Sequence, residues 1–348
     1  MNKYIIAPLI AGAAFFSIAC VAQDSGKEFL YLSKPLAAEA ITAVEAETSG
    51  GGIEVSGGYS QDARLEVYAT PNGILRTFSK ADIEERLRTA YDFSITVTDH
   101  KLTVIARPKD GSVNWTNRLN ISYKIFVPEQ VSTKVNTSGG GIRLSNVSGR
   151  QDFHTSGGGL HVTHLVGKIT GSTSGGGIHV TDSRDEIDLN TSGGGIEASR
   201  CSGNIKLTTS GGSLHLDSLK GTITASTSGG SIHGDDIAGE LFARTSGGNV
   251  ILRQISGNIE ASTSGGHISA EIIDPGKFIT LNNSGGHIDL EIPKGKGFDL
   301  KLNGKIKTEG LSSFSSTTEE ESMRGSINGG GTTVNVDAGG GRILLSLR

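Results

Sequence analysis

Two short segments carry chemistry-bearing side chains in matching order, His215-Leu216-Asp217 and His233-Gly234-Asp235, 18 residues apart. Imidazole and carboxylate both ligate a zinc-type ion, so His215, Asp217, His233 and Asp235 form a candidate metal patch if the segments lie side by side. Neighbouring carboxylates can also divide the acid and base roles of glycoside cleavage when their surroundings differ. Asp217 and Asp235 are therefore the pair on which a β-helical polysaccharide hydrolase or lyase would rest. A plainer expectation stands beside both: a solvated face whose charges recur with its units, with Arg253 placed to pair with Asp235. The same step of 18 extends the set backwards, so that His161, His179, Glu197, His215 and His233 make one outward column and a candidate ligand-binding surface.

The step belongs to a phrase. From Asn136 to Ile288 the chain repeats Thr-Ser-Gly-Gly, one variable residue and an aliphatic residue, with threonines at Thr137, Thr155, Thr173, Thr191, Thr209, Thr227, Thr245 and Thr263. A ninth copy, Asn283-Ser284-Gly285-Gly286-His287-Ile288, comes 20 residues after Thr263, around the insertion Asp274-Pro275-Gly276. A fixed short period marks a solenoid, in which each turn buries its apolar side only against its neighbours. With the threonine as position zero, aliphatic residues recur at positions five, seven, ten, fourteen and sixteen. Steps of two within these groups are strand periodicity, giving two short strands per unit with those side chains inward. The threonine points inward by the same parity, where its hydroxyl can be satisfied along the stack. One corner falls at Ser-Gly-Gly and a second near position twelve, at Gly149, Gly167, Gly203, Gly221, Gly239 and Gly257. Positive φ is the expected reason for glycine at both. Parallel pairing of equivalent positions at about 4.8 Å per rung predicts a rod on the order of 40 Å before its caps. The fold class is all-β: a single-stranded, right-handed parallel β-solenoid (β-helix) with 18-residue rungs.

Composition narrows the function classes. Of 348 residues 51 are glycine, about twice the usual share near 7%, while aromatics are 5% and net charge is −4. That charge gives no basic footprint for nucleic acid. The glycine runs lack a following Lys-Ser/Thr or helix, which excludes a phosphate cradle. No aspartate sits in the glycine turns, which excludes a calcium-binding β-roll. Only two cysteines occur. No disulfide framework or thiolate zinc site follows, and Cys201, in the inward column, reads as a small core residue. The lone Trp115 lies outside the array, so a sugar-binding aromatic platform is not expected within it.

Along the chain, residues 1–22 read as an export signal, with Lys3 before the apolar run from Tyr4 to Val21. Cleavage after Ala22 fits an ordinary signal. Ser17-Ile18-Ala19-Cys20 instead resembles a lipobox, with Cys20 lipidated, and the two readings stay open. Residues 23–40 read as a spacer. Residues 41–135 hold a first copy of the phrase at Thr48, 89 residues before Thr137, and a β-rich cap. Within the cap, Ser79 and Asp82 form a capping box ahead of a helix over about 80–91, and Asp99-His100 is a hairpin turn. Residues 136–292 are the solenoid. Residues 293–348 are a cap of degenerate closing rungs with a polar loop from Ser312 to Ser322.

The Thr-Ser-Gly-Gly-x-Ile units, the capped β-rich N-terminal segment and the glycine-rich closing rungs resemble the bacterial putative-adhesin family of β-strand-repeat proteins. That family is related to the head domains of putative autotransporter adhesins. The resemblance covers residues 41–348 and implies an exported, single-chain β-solenoid on or near the cell envelope. It defines no catalytic residues, so none is carried over. The expectation is an exported interaction scaffold, at the periplasm or cell surface, that binds an envelope component or another macromolecule. No cofactor, no catalysis and no nucleic acid are expected, and membrane attachment only through Cys20.

Overall fold

A computed structural model describes residues 29–71, 79–109, 118–310, 315–319 and 321–348. The expected export signal, Cys20 and Trp115 lie outside them. Among the described residues the chain is all-β with one α-helix, Lys80–Ala90, and every strand joins one mostly parallel sheet network.

Two ladders run the length of the array. Short strands Ile142–Ser145, Leu160–Thr163, Ile178–Thr181 and Ile196–Ser199 pair in parallel, with Leu160 opposite Ile178 and His161 opposite His179. Longer strands Ser148–Thr155, Val166–Thr173, Arg184–Thr191 and Ser202–Thr209 form the second ladder, with Ile169 opposite Ile187. From Leu214 onward the two strands of a unit run on as one, in Leu214–Thr227, Ile232–Arg244, Val250–Thr263 and Ile268–Asn283. Partners are 18 residues apart until the Asp274-Pro275-Gly276 insertion, where bulges bring Ile259 opposite Ile279. The inward columns are buried throughout. Where one rung carries a large residue the next yields: a Cβ on Gly171 would lie 2.2 Å from the Phe153 ring.

The threonine column is buried and fully used. Thr191 Oγ1 donates to the Gly176 carbonyl of the preceding rung (2.8 Å) and accepts from the Gly194 amide (3.3 Å). Equivalent bonds recur from Thr137 to Thr263, and Asn283 takes over with its amide, donating to Gly266 O at 2.7 Å. Each threonine thus ties a corner to the one beneath it.

The two glycine corners differ in cause. At position twelve the expected positive φ is present, 112° at Gly203 and 119° at Gly221. At the Ser-Gly-Gly corner it is not, which corrects the sequence expectation. There the second glycine is needed because a Cβ on Gly194 would sit 2.1 Å from the Gly176 carbonyl oxygen of the rung below. A third bend lies at position nine, where Asn146, His164, Asp182, Arg200, Ser218, Asp236 and Gln254 all adopt φ between 51° and 55°.

Both ends are sealed by strands out of chain order. The first copy of the phrase stacks directly on the array, Thr48 opposite Thr137 and Ile53 opposite Ile142, although 89 residues lie between. Lys101–Pro108 and Leu119–Phe126 pair in parallel on its outer side. Antiparallel strands Tyr91–Thr98 and Arg64–Pro71 then close the two ladders. Phe29–Pro35, in the stretch expected to be a spacer, adds a further antiparallel strand on Arg64–Pro71. The Ser79–Asp82 capping box and the positive-φ turn at Asp99 and His100 are present. At the other end Thr332–Leu347 slots between the array and Phe298–Glu309, and Ser322–Ile327 pairs antiparallel outside. The stretch expected as a polar loop contains strand Ser315–Glu319, paired with Ser322–Ile327.

Candidate functional site

Alternation along the short strands turns positions five and seven inward and leaves six and eight on the surface. Rung-to-rung register then sets like beside like. His215 lies opposite His233, and Asp217 opposite Asp235, while Ile251 and Arg253 follow in the next rung. The four residues expected to share a patch do share one. They line an open groove of about 560 Å³, whose wall also includes His179, Glu197 and Arg253. A second groove of about 410 Å³ continues the same face toward the N-terminal cap, past His161, Arg143, Glu54 and Lys124.

The imidazoles pair as parallel plates. His215 and His233 stack with ring centroids 5.1 Å apart and planes 7° apart, and His161 and His179 at 5.0 Å and 4°. Glu197 stands between the pairs, its carboxylate 2.9 Å from His179 Nδ1. Burial, then the neighbouring imidazole, then a nearby arginine hold His161 and His233 below the ordinary histidine value. Stacked rings hold their nitrogen lone pairs in separate parallel planes, which does not suit convergence on one ion at about 2.0–2.1 Å. Among the described residues no group of three or more His, Cys, Asp or Glu side chains is placed to hold a metal ion.

Asp217 and Asp235 differ from Glu197, which meets His179 in the same groove. Some acids elsewhere on the stack pair rung to rung: Asp182 receives two bonds from Arg200, at 2.8 and 2.9 Å, while Lys168 pairs with Glu186 and Lys206 with Asp188. Among the described residues Asp217 and Asp235 have no side-chain hydrogen bond or salt bridge, and Arg253 does not pair with Asp235 as the sequence suggested. Asp235 Oδ1 is enclosed and accepts no hydrogen bond. Cys201 is buried in the inward column and burial pushes its thiol up, the behaviour of a core residue.

Sequence reasoning missed two features here. The groove itself is one, since alternation gives the direction of a side chain but not the relief of a surface. The other is the bend at position nine, which re-aims the chain beside the face. Its only signal is a mild surplus of Asn and Asp, residues that tolerate left-handed backbone.

No family model matches the chain, and no curated protein matches it. Solved structures similar to it include a putative cell adhesion protein from Clostridium sporogenes, 13% identical, covering 92% of this chain and 99% of that one, with a TM-score of 0.21. Another is a putative adhesin from Bacteroides fragilis, 12% identical, covering 93% of this chain and 98% of that one, with a TM-score of 0.24. At such scores neither fold nor role is carried from them to this chain.

Proposed function

We propose that the protein is an exported, adhesin-like rod, a right-handed β-solenoid of 18-residue rungs that binds an envelope component along its short-strand face. The observation that carries this reading is the division of labour within each unit. Repeated residues serve the core and the corners, while the outward residues that vary along the stack line two grooves on one face. Stacked strand faces of solenoids offer extended surfaces of this kind for partners. The test is a binding array of envelope components and glycans, probed with the wild type and with a variant carrying alanine at His215, Asp217, His233 and Asp235. Binding that the variant loses supports the reading, and equal binding by both proteins ends it. The hydrolase or lyase reading has one observation in its favour, the placement of Asp217 and Asp235 in a groove. Release of reducing or unsaturated sugars from an envelope polysaccharide would establish it in place of simple binding.

A further inference from the structure

The class of partner follows from how the groove is made, and the inference rests on the binding role just given. We propose that the groove takes a linear, uncharged polysaccharide lying along the rod axis, with its hydroxyls donating to Asp217 and Asp235.

Backbone amides and carbonyls of the short strands are committed on both sides to neighbouring rungs, as for Leu160–Thr163 between Ile142–Ser145 and Ile178–Thr181. A peptide therefore has no edge to add to as a strand along this face. Recognition falls to side chains, and His215 and Asp217 recur as His233 and Asp235 one rung on, about 4.8 Å apart. A ligand that meets successive rungs equivalently must repeat at nearly the same interval. A pyranose chain repeats on that scale, whereas an extended peptide rises only about 3.3 Å per residue and turns alternate side chains away.

Chemistry selects further. Among the described residues neither Asp217 nor Asp235 has a side-chain partner; Asp235 Oδ1 is enclosed, so the acceptors a groove ligand meets are the exposed Asp217 carboxylate and Asp235 Oδ2. A carboxylate can accept at both oxygens, and a sugar offers adjacent hydroxyl donors. A neutral imidazole provides one donor and one acceptor, as a hydroxyl does, so the His215–His233 pair suits the same ligand. Glu197, Asp217 and Asp235 outnumber Arg253 in the groove lining, and Arg200, whose charge reaches Asp217, is tied to Asp182, so the groove is net negative and hostile to acidic polysaccharides at neutral pH. No Trp, Tyr or Phe lines the groove. Affinity must then come from several contacts summed along the groove, from Glu197 to Arg253, so it should rise with oligomer length.

The experiment is calorimetric titration of the full chain at pH 7.5 with dimers and hexamers of β-1,4-glucose, α-1,4-glucose, β-1,3-glucose, β-1,4-mannose and N-acetylglucosamine. Hexamers of glucosamine and galacturonic acid complete the set. The expected result is binding of at least one uncharged hexamer, at least tenfold weaker for its dimer and for the Asp217→Asn/Asp235→Asn variant. A Ser156→Ala/Ser174→Ala variant, altered on the adjoining corner, should bind as the wild type does. The proposal is overturned if galacturonate or glucosamine binds more tightly than every uncharged hexamer, if the asparagine variant binds equally well, or if no uncharged hexamer binds. In the last case, capture of a non-glycan envelope component by the same groove would still leave the broader binding role standing.

Discussion

Asp185 is the exception in a column of glycines. Its neighbours Gly167 and Gly203 hold φ of 111° and 112°, and Asp185 holds 88° with a Cβ in place. A side chain in that region costs on the order of 1–3 kcal/mol. Asp185→Gly should therefore stabilise the protein by about 1 kcal/mol, read as a higher urea midpoint with an unchanged slope. Within the Ser-Gly-Gly corner the two glycines should behave differently. A Cβ on Gly194 meets a carbonyl oxygen at 2.1 Å, whereas one on Gly193 meets its nearest atom at 3.5 Å. Gly194→Ala should cost about 1–3 kcal/mol or more, as overpacking does, and Gly193→Ala should be close to neutral in the same measurement. Thr191→Val should cost about 1–3 kcal/mol by leaving the Gly176 carbonyl and Gly194 amide without the hydroxyl, and Thr191→Ser much less.

At the scale of the strand, the histidine column couples stability to pH. His161 and His233 are held below the ordinary value by burial first, then by their stacked neighbours and by Arg143 and Arg253. The unfolded chain then binds more protons than the folded one as pH falls below about 6.5. Their contribution is fully present above that pH and is lost as pH falls through the lowered folded values. The urea midpoint should drop between pH 7.5 and 5, and His161→Gln/His233→Gln should flatten part of that drop. A pair-substituted protein with the full wild-type dependence would place the effect elsewhere.

Strand periodicity made both ladders and the buried threonine readable in advance, because each is a column of like residues. The position-nine bend was not readable, since Asn146, His164, Asp182 and Arg200 share a conformation without sharing a side chain. The cause of the Gly194 column was misassigned for a related reason: a clash between successive rungs leaves the same glycine as a positive φ. The His and Asp columns could be aligned from the sequence, yet their grooves and the missing partner of Asp235 depend on relief and packing that spacing does not encode.

For the molecule as a whole, the rung is the unit of construction and the ends are what make the stack a finished object. Removing residues 173–190, one full period, restores every column to register, so far-UV strand content per residue and a single cooperative unfolding transition should persist. Removing residues 173–181 turns inward columns out, because half a period exchanges corners for strands. That protein should unfold without cooperativity or aggregate. The C-terminal strand Thr332–Leu347 lies between the array and Phe298–Glu309 rather than at the tip. Its loss would strip the lower end of two neighbours at once, which explains why the chain must return to finish its own rod.

The serines at the corner sharpen the functional question. Ser156, Ser174, Ser192 and Ser210 are exposed and recur in every unit, whereas the groove residues vary along the stack. The central claim is that specificity resides in the changing face and not in the repeated phrase. Its most direct test is envelope-component binding by two variants of matched thermal stability. One replaces His161, His179, His215, Asp217, His233 and Asp235 with serine, and the other replaces Ser156, Ser174, Ser192 and Ser210 with alanine. The account predicts that the first variant loses binding and the second keeps it; loss only in the second would contradict it.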